Sequence, residues 1–337
     1  MWRIEKAGSI DRLRLMEESL EPVEPGQVRV RVLATGLNFA DIFALTGLYS
    51  ATPDGSFIPG LEFSGEVLEV GPGAGDFAPG QRVMGGIRFG AYAGTVDVPP
   101  TQLRLVPEDW TPEQAAAFPI QTLTAWYALR GLGALGAGQT VLVHSAAGGV
   151  GLQAMAISRA LGAEAIGTVS SPDKAEFLAE RGFGQVIVRG ANFAEQLDSV
   201  LGGRPLHLVL DAIGGKIQQQ SFNALAPTGR LVVYGAAQYT PGRRRPRYLS
   251  SAWKYLTRPR YDPLQMVSAN RSVMAFNLIW LWQDNALFQR MMDETLALDI
   301  DPPHVGRVFP FDEALEAIEF LRSGRSIGKV VLKHPEH

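Results

Sequence analysis

The sequence has no cysteine among its 337 residues. Disulfides, cysteine-ligated zinc, iron–sulfur clusters and thiolate catalysis are therefore excluded together. Histidine is scarce, at five residues. His144 falls at the end of a predicted strand and reads as buried structure, while His207, His304, His334 and His337 fall near loops or the tail. Their spacing supports no Ser-His-Asp arrangement, which argues against a hydrolase. No apolar run reaches the ~20 residues of a membrane span. The longest, Val273 to Trp282, is interrupted by Asn277. Met1 is followed at once by Arg3, Glu5 and Lys6, so no apolar signal core and a cytoplasmic location are expected. An excess of one charge is also lacking: 31 basic against 34 acidic residues leave a formal net charge of -3. Nothing in that balance attracts nucleic acid or an anionic membrane.

What is present is apolar material for two cores. The length is about twice a usual ~150-residue domain, and hydrophobic residues make up 46% of the chain. Residues 1 to about 110 read as short strands (Gln27–Leu33, Gly65–Val70, Arg82–Met84, Gly94–Val98) separated by Glu-Pro-Gly, Gly-Pro-Gly and Ala-Pro-Gly turns. Thr111-Pro112-Glu113-Gln114 is a capping box that predicts a long helical stretch to about Gly131. From Thr140 strand and helix alternate. Strands are expected at Val141–His144, Ala165–Val169, Val186–Val188, Leu208–Leu210, Leu231–Tyr234 and Val273–Phe276, and helices at Gly149–Gly162 and from Ser171-Pro172 to Gly182. Successive units of that length demand right-handed crossovers and a parallel sheet covered on both faces, a doubly wound domain. A last strand, helix and strand follow at Val305–Phe309, Asp312–Arg322 and Lys329–Leu332.

The first of these α/β strands runs into Ser145-Ala146-Ala147-Gly148-Gly149-Val150-Gly151 and then a helix. Against the dinucleotide fingerprint, Ala146 takes the first glycine position, Gly148 the second and Gly151 the third. Gly148 would admit a pyrophosphate close to the backbone, Gly151 would let helix and strand pack tightly, and the helix N-terminus would offer amide donors. Where NAD-preferring chains carry Asp or Glu about 20 residues on, this one has Ser170 and Ser171, with Lys174 one turn later and Arg189 at the end of the third strand. Hydroxyls and cations suit a 2′-phosphate, so NADP(H) is the expected coenzyme; the competing reading makes Lys174 and Arg189 solvated surface charges.

With that loop in place the whole chain resembles the zinc-independent medium-chain dehydrogenase/reductase superfamily, in the quinone oxidoreductase branch that includes zeta-crystallin and VAT-1. The pieces that carry the resemblance are Gly36-Leu37-Asn38-Phe39-Ala40-Asp41, Gly47-Leu48-Tyr49, Pro59-Gly60-Leu61-Glu62-Phe63-Ser64-Gly65, Gly80-Gln81-Arg82-Val83, the glycine loop and Gly328-Lys329-Val330-Val331. The segment Gln265-Met266-Val267-Ser268-Ala269-Asn270-Arg271 looks VAT-1-like in particular. The resemblance implies an α/β chain in two parts: a GroES-like β-rich catalytic domain of residues 1–120 and 300–337, and a doubly wound Rossmann domain of residues 121–299. It also implies a homodimer paired through edge strands, here Val273–Phe276. The aromatic run Phe276, Trp280, Trp282 and Phe288 fits core or dimer contact, with substrate lining as the other reading. Zinc-dependent relatives carry Cys at the position of Asn38 and His at that of Leu61, so no metal site is expected and Glu62 reads as a turn or salt-bridge residue.

Residue by residue, the resemblance implies nicotinamide and ribose contacts at Tyr49, Thr124, Gly235 and Phe276-Asn277-Leu278. Phosphate contacts follow at Ala147, Gly148, Gly149, Val150, Ser170, Lys174 and Arg189, with Lys329 a further candidate; Arg189 departs from the Tyr or His common at its position. Without a metal, the hydride acceptor must already be electrophilic: a quinone, or an enone, enal or enoyl group. Tyr49 is the candidate to hydrogen-bond the developing oxyanion or donate the proton, with cofactor packing as its plainer role. Asn38 would add a second donor, and Asp41 completes the catalytic candidates as an orienting group. The basic run Arg243-Arg244-Arg245-Pro246-Arg247, with Lys254, Arg258 and Arg260, is either a solvated loop or a site for an anionic substrate, acidic partner or membrane surface. Two functions stay open: an NADPH-dependent reductase of a small electrophile, and an NADPH-binding VAT-1- or crystallin-like protein with an interaction or structural role.

Overall fold

The computed structural model describes residues 1–240, Arg244 and 248–335. Its N-terminal part is a β structure. Strands β1 (Trp2–Arg3) and β2 (Arg14–Leu15) form a small ribbon, and β3 (Val28–Gly36), β4 (Glu62–Val70), β5 (Arg82–Gly86), β6 (Thr95–Val98) and β7 (Leu103–Leu105) build an antiparallel sheet. Alternation of Val28, Val30 and Val32 with charged residues puts one face of β3 in the core, as the period-2 pattern requires. Helix α1 (Phe39–Leu45) follows β3 directly and carries Asn38 and Asp41 at its start.

The capping box forms as expected, but the long helix does not. Helix α2 spans only Pro112–Ala116, and α3 starts afresh at Pro119–Trp126 before a π-helical segment, Tyr127–Leu132. Pro119 is the reason: its ring cannot follow four residues of continuous helix, whereas at a first helical position its missing N–H is harmless. The break matters for the site, because it frees the backbone N–H of Ile120 at a new helix start. The expected domain boundary at 120/121 falls inside α3.

The second sheet has six parallel strands: β8 (Thr140–His144), β9 (Glu164–Val169), β10 (Val186–Val188), β11 (Leu206–Asp211), β12 (Leu225–Val233) and β13 (Ser272–Ala275). Their spatial order is β10-β9-β8-β11-β12-β13. The order reverses at β8, and it is at such a switch point that open α/β sheets bind ligands. Helices α4 (Gly149–Ala160), α5 (Pro172–Ala179), α6 (Phe193–Leu201) and α7 (Gly215–Asn223) cross between strands. Val141, Leu142 and Val143 of β8 are fully buried, each worth about 1.5–3 kcal/mol relative to exposure. Helices α8 (Tyr248–Leu256), α9 (Pro263–Ala269) and α10 (Asn285–Leu296) surround β13 in sequence.

The tail then returns to the first sheet. Strand β14 (Val305–Pro310) leads through α11 (Ala314–Arg322) to β15 (Lys329–Lys333), which pairs antiparallel with β3, Leu332 opposite Thr35. Among the described residues no helix is long and apolar enough to cross a membrane. Most of the basic run (Arg243, Arg245, Pro246, Arg247) lies outside the described residues. Arg244 is described, and it pairs with Asp11 and Glu319 at 2.9 Å each.

Candidate active site

The turn after β8 carries the geometry of a nucleotide loop, with one shift from expectation. Its left-handed residue is Ser145 (φ +54°), one before the Ala146 assigned to the first glycine position. Gly148 has an ordinary extended backbone, and a side chain there would meet only Ser145 O, at 3.2 Å. The absent Cβ therefore leaves room for a ligand instead of relieving strain. At Gly151 a Cβ would lie 2.6 Å from Ala146 Cα, so only glycine lets α4 pack against the strand. The first backbone bond of α4 runs from Leu152 N to Gly148 O at 2.8 Å. The three amides before it lack intrahelical partners and stand at an anion-attracting helix start.

This loop forms one wall of a cleft of about 990 Å³ between the two sheets. Every coenzyme candidate named from the sequence lines it. Gly328 N donates to Ala147 O at 2.8 Å, which ties the tail to the loop, but the Lys329 ammonium turns to Glu62 and Asn38, so it is not free for the phosphate contact expected of it. Lys174 and Arg189 both face the cleft, and among the described residues neither lies within ion-pair distance of a carboxylate. Lys174 Nζ donates to Gly324 O at 2.6 Å and Arg189 Nη1 to Thr168 Oγ1 at 2.8 Å. Burial, then the Arg189 charge, pushes the Lys174 ammonium below its usual range; burial lowers Arg189 against the opposing pull of Asp211. Two half-buried cations that repel each other, an open glycine turn and unpaired helix amides fit a phosphorylated dinucleotide with a 2′-phosphate.

The opposite wall is apolar, built by Leu37, Phe39, Phe43, Leu48 and Leu61, with Tyr49 and Asn38 among them. Tyr49 donates to Asn277 Oδ1 at 2.8 Å across the cleft. Burial pushes its phenol up to about 12 although the Asn277 bond opposes the rise, so it holds its proton at neutral pH. Of the aromatic run, Phe276 and Trp282 line the cleft, which favours the substrate-side reading for those two. Trp282 Nε1 also bonds Gly86 O at 2.8 Å and joins the two halves, whereas Trp280 is exposed beneath Arg88 and Phe288 is core.

Behind Asn38 lies a buried polar cluster that the sequence did not reveal as a unit. Glu62 is fully buried and accepts from Asn38 Nδ2 at 2.8 Å and from the freed Ile120 N at 2.7 Å. Lys329, also buried, forms an ion pair with the same carboxylate and donates to Asn38 Oδ1 at 2.7 Å. Both amide atoms of Asn38 are thus engaged, so its side chain is locked. Asp41 does not reach the cleft: its carboxylate accepts from Asn38 N at 2.8 Å and Tyr92 Oη at 3.2 Å. Burial dominates and raises its pKa to about 7. Its contacts are with the start of α1 and with Tyr92, not with the cleft. Among the described residues no three His, Cys, Asp or Glu side chains converge on a point that could hold a metal. Gln121, unmarked in the sequence, lines the cleft with a buried Oε1 that has no partner.

Comparison with known proteins agrees with this architecture. Residues 24–108 match the alcohol dehydrogenase GroES-like domain and residues 149–253 the zinc-binding dehydrogenase family. The human synaptic vesicle membrane protein VAT-1 homolog is 33% identical over 96% of this chain and 84% of that protein. The chain belongs to the medium-chain dehydrogenase/reductase superfamily, in its quinone oxidoreductase and VAT-1-like branch. Among solved structures of this superfamily, a quinone oxidoreductase from Thermus thermophilus, also solved with NADPH, is similar at a TM-score of 0.81. It is 31% identical, and the match covers 98% of this chain and 99% of that one. CurK enoyl reductase is similar at a TM-score of 0.84 and 26% identity, over 99% and 98% of the two chains. An internal ammonium, Lys329, stands beside Asn38 in this fold.

Proposed function

We propose that this chain is an NADPH-dependent oxidoreductase that reduces a small electrophile, a quinone or an activated alkene, without a metal. The observation that carries the reading is the single cleft in which the glycine loop and the Lys174–Arg189 cations face an apolar wall bearing Tyr49 and Asn38. NADPH, when bound, supplies the hydride. The chain's residues do the rest. The open turn and the α4 amides would take the pyrophosphate, and Lys174, Arg189 and Ser170 the 2′-phosphate. Thr124, Gly235 and the Phe276–Leu278 stretch would seat the nicotinamide end. The apolar wall strips water from a flat, uncharged acceptor and favours transfer at close range. As hydride adds to the β-carbon of an alkene, or to a quinone, negative charge gathers on the acceptor oxygen. A protonated Tyr49, turned from Asn277, would donate to it. Asn38 lines the cleft, but with Nδ2 spent on Glu62 and Oδ1 on Lys329 it would hold the wall in shape instead of adding the second donor expected from the sequence. A cytoplasmic homodimer belongs to the same proposal; the dimer is supported by the edge of β13, which among the described residues pairs only with β12.

The test follows NADPH absorbance against quinones, enals, enones and enoyl thioesters. Turnover with at least one class is expected. Tight NADPH binding with no turnover across the panel would favour a binding role instead.

A further inference from the structure

Arg189 is held by side chains that the reaction does not use. Its Nη1 donates to Thr168 Oγ1 at 2.8 Å, and that oxygen lies 2.8 Å from His144 Nδ1. His144 Nε2 lies 2.8 Å from Ser221 Oγ, which donates to Ile217 O at 2.8 Å. Thr168, His144 and Ser221 are all fully buried.

The donor inventory fixes every proton in this chain. A guanidinium can only donate, so Thr168 Oγ1 accepts from Arg189; its hydrogen goes to His144 Nδ1 because the neutral ring carries its proton on Nε2, as Ser221 requires. Ser221 spends its one hydrogen on the Ile217 carbonyl, so its oxygen accepts from Nε2. The imidazole is therefore neutral and carries its proton on Nε2. Burial, and secondarily the Arg189 charge, hold it neutral by pushing its pKa down to about 3. The run spans the sheet from the end of β10 through β9 and β8 to α7 and leaves the other guanidinium N–H groups of Arg189 facing the cleft.

We propose that Thr168, His144 and Ser221 act as a positioning relay that holds Arg189 against the cleft wall as a preformed 2′-phosphate site, and so set the preference for NADPH over NADH. An arginine side chain otherwise carries rotamer entropy that binding must remove. Here that ordering is done before the coenzyme arrives, by groups too deep to touch it. The inference rests on the phosphate role of Arg189 given above.

Dissociation constants of NADPH and NADH for Thr168→Val, Thr168→Ser and Ser221→Ala test it. Thr168→Val keeps the shape and removes the hydroxyl, which leaves an Arg189 N–H and His144 Nδ1 without partners. NADPH binding is expected to weaken about tenfold, a difference of ~1.4 kcal/mol, with NADH changed less than about twofold on the same scale. Thr168→Ser should restore the wild-type ratio, and Ser221→Ala, at the far end, should lower it in the same direction. Nitrogen NMR of His144 should show the Nε2–H tautomer, with Nδ1 shifting on addition of NADPH and not of NADH. Equal weakening of both coenzymes, or an unchanged ratio in Thr168→Val and Ser221→Ala, overturns the relay. Arg189→Gln separates the two levels. If it leaves the ratio unchanged, the phosphate reading itself falls; if it abolishes the preference while Thr168→Val does not, the relay alone falls.

Discussion

Replacing Lys329 by methionine removes a buried ammonium and leaves the Glu62 carboxylate with no counter-charge. Glu62 and Lys329 side chains are 0% and 5% exposed, so solvent cannot take over the lost partner. Removing one member of such a pair costs about 3–5 kcal/mol. The lower end applies here, because Glu62 keeps its bonds from Asn38 and Ile120. With an unfolding entropy of about 2.1 cal/mol/K per residue over 337 residues, the apparent melting midpoint should fall by about 4 °C. Glu62→Gln should fall comparably, since it strands the ammonium. The double variant Glu62→Gln/Lys329→Met places no charge in the core and should melt well above the sum of the two losses, with a coupling of about 2 kcal/mol or more. Thermal unfolding of the four proteins in one buffer measures this. A fall below about 1 °C for Lys329→Met, or strict additivity in the double variant, would refute the claim that this pair locks Asn38.

Other outcomes follow from the same geometry. Asp41 has a folded pKa of about 7 against 3.8 unfolded. The fold therefore binds its proton more tightly, and its contribution is complete below about pH 4 and is lost as pH rises towards 7. Asp41→Asn should flatten melting temperature against pH across that window relative to wild type; identical profiles would contradict the assignment. Tyr49→Phe should lower kcat about tenfold or more with little change in the KM for NADPH, because the lost donor acts on developing charge. An effect on KM alone would make Tyr49 a packing residue. Lys174→Glu should weaken NADPH far more than NADH in a binding titration, and equal weakening would remove Lys174 from the phosphate site.

Much of this was legible in the sequence because the signals are local. The β8 strand, the glycine turn and α4 follow one another without a gap, and every residue assigned to the coenzyme lines one cleft. Helix caps and Pro-Gly turns located most elements to within a few residues. The cluster of Glu62, Asn38 and Lys329 was hidden for a physical reason. Its members are separated by up to 291 residues, and only the pairing of β15 with β3 brings the last of them in. The break at Pro119 was misread because a capping box reports where a helix starts and says nothing about where it stops. Asp41 and Glu62 are both buried carboxylates, and what separates them, Lys329 beside Glu62 and Tyr92 beside Asp41, is set by the fold.

The central claim is that the cleft passes hydride from NADPH to an electrophilic acceptor with no metal. It is tested most directly by NADPH oxidation with a quinone and an enal, using protein pretreated with a strong chelator. The account predicts saturable turnover with at least one of them, unchanged by the chelator. Activity that vanishes on chelation and returns with zinc would contradict it.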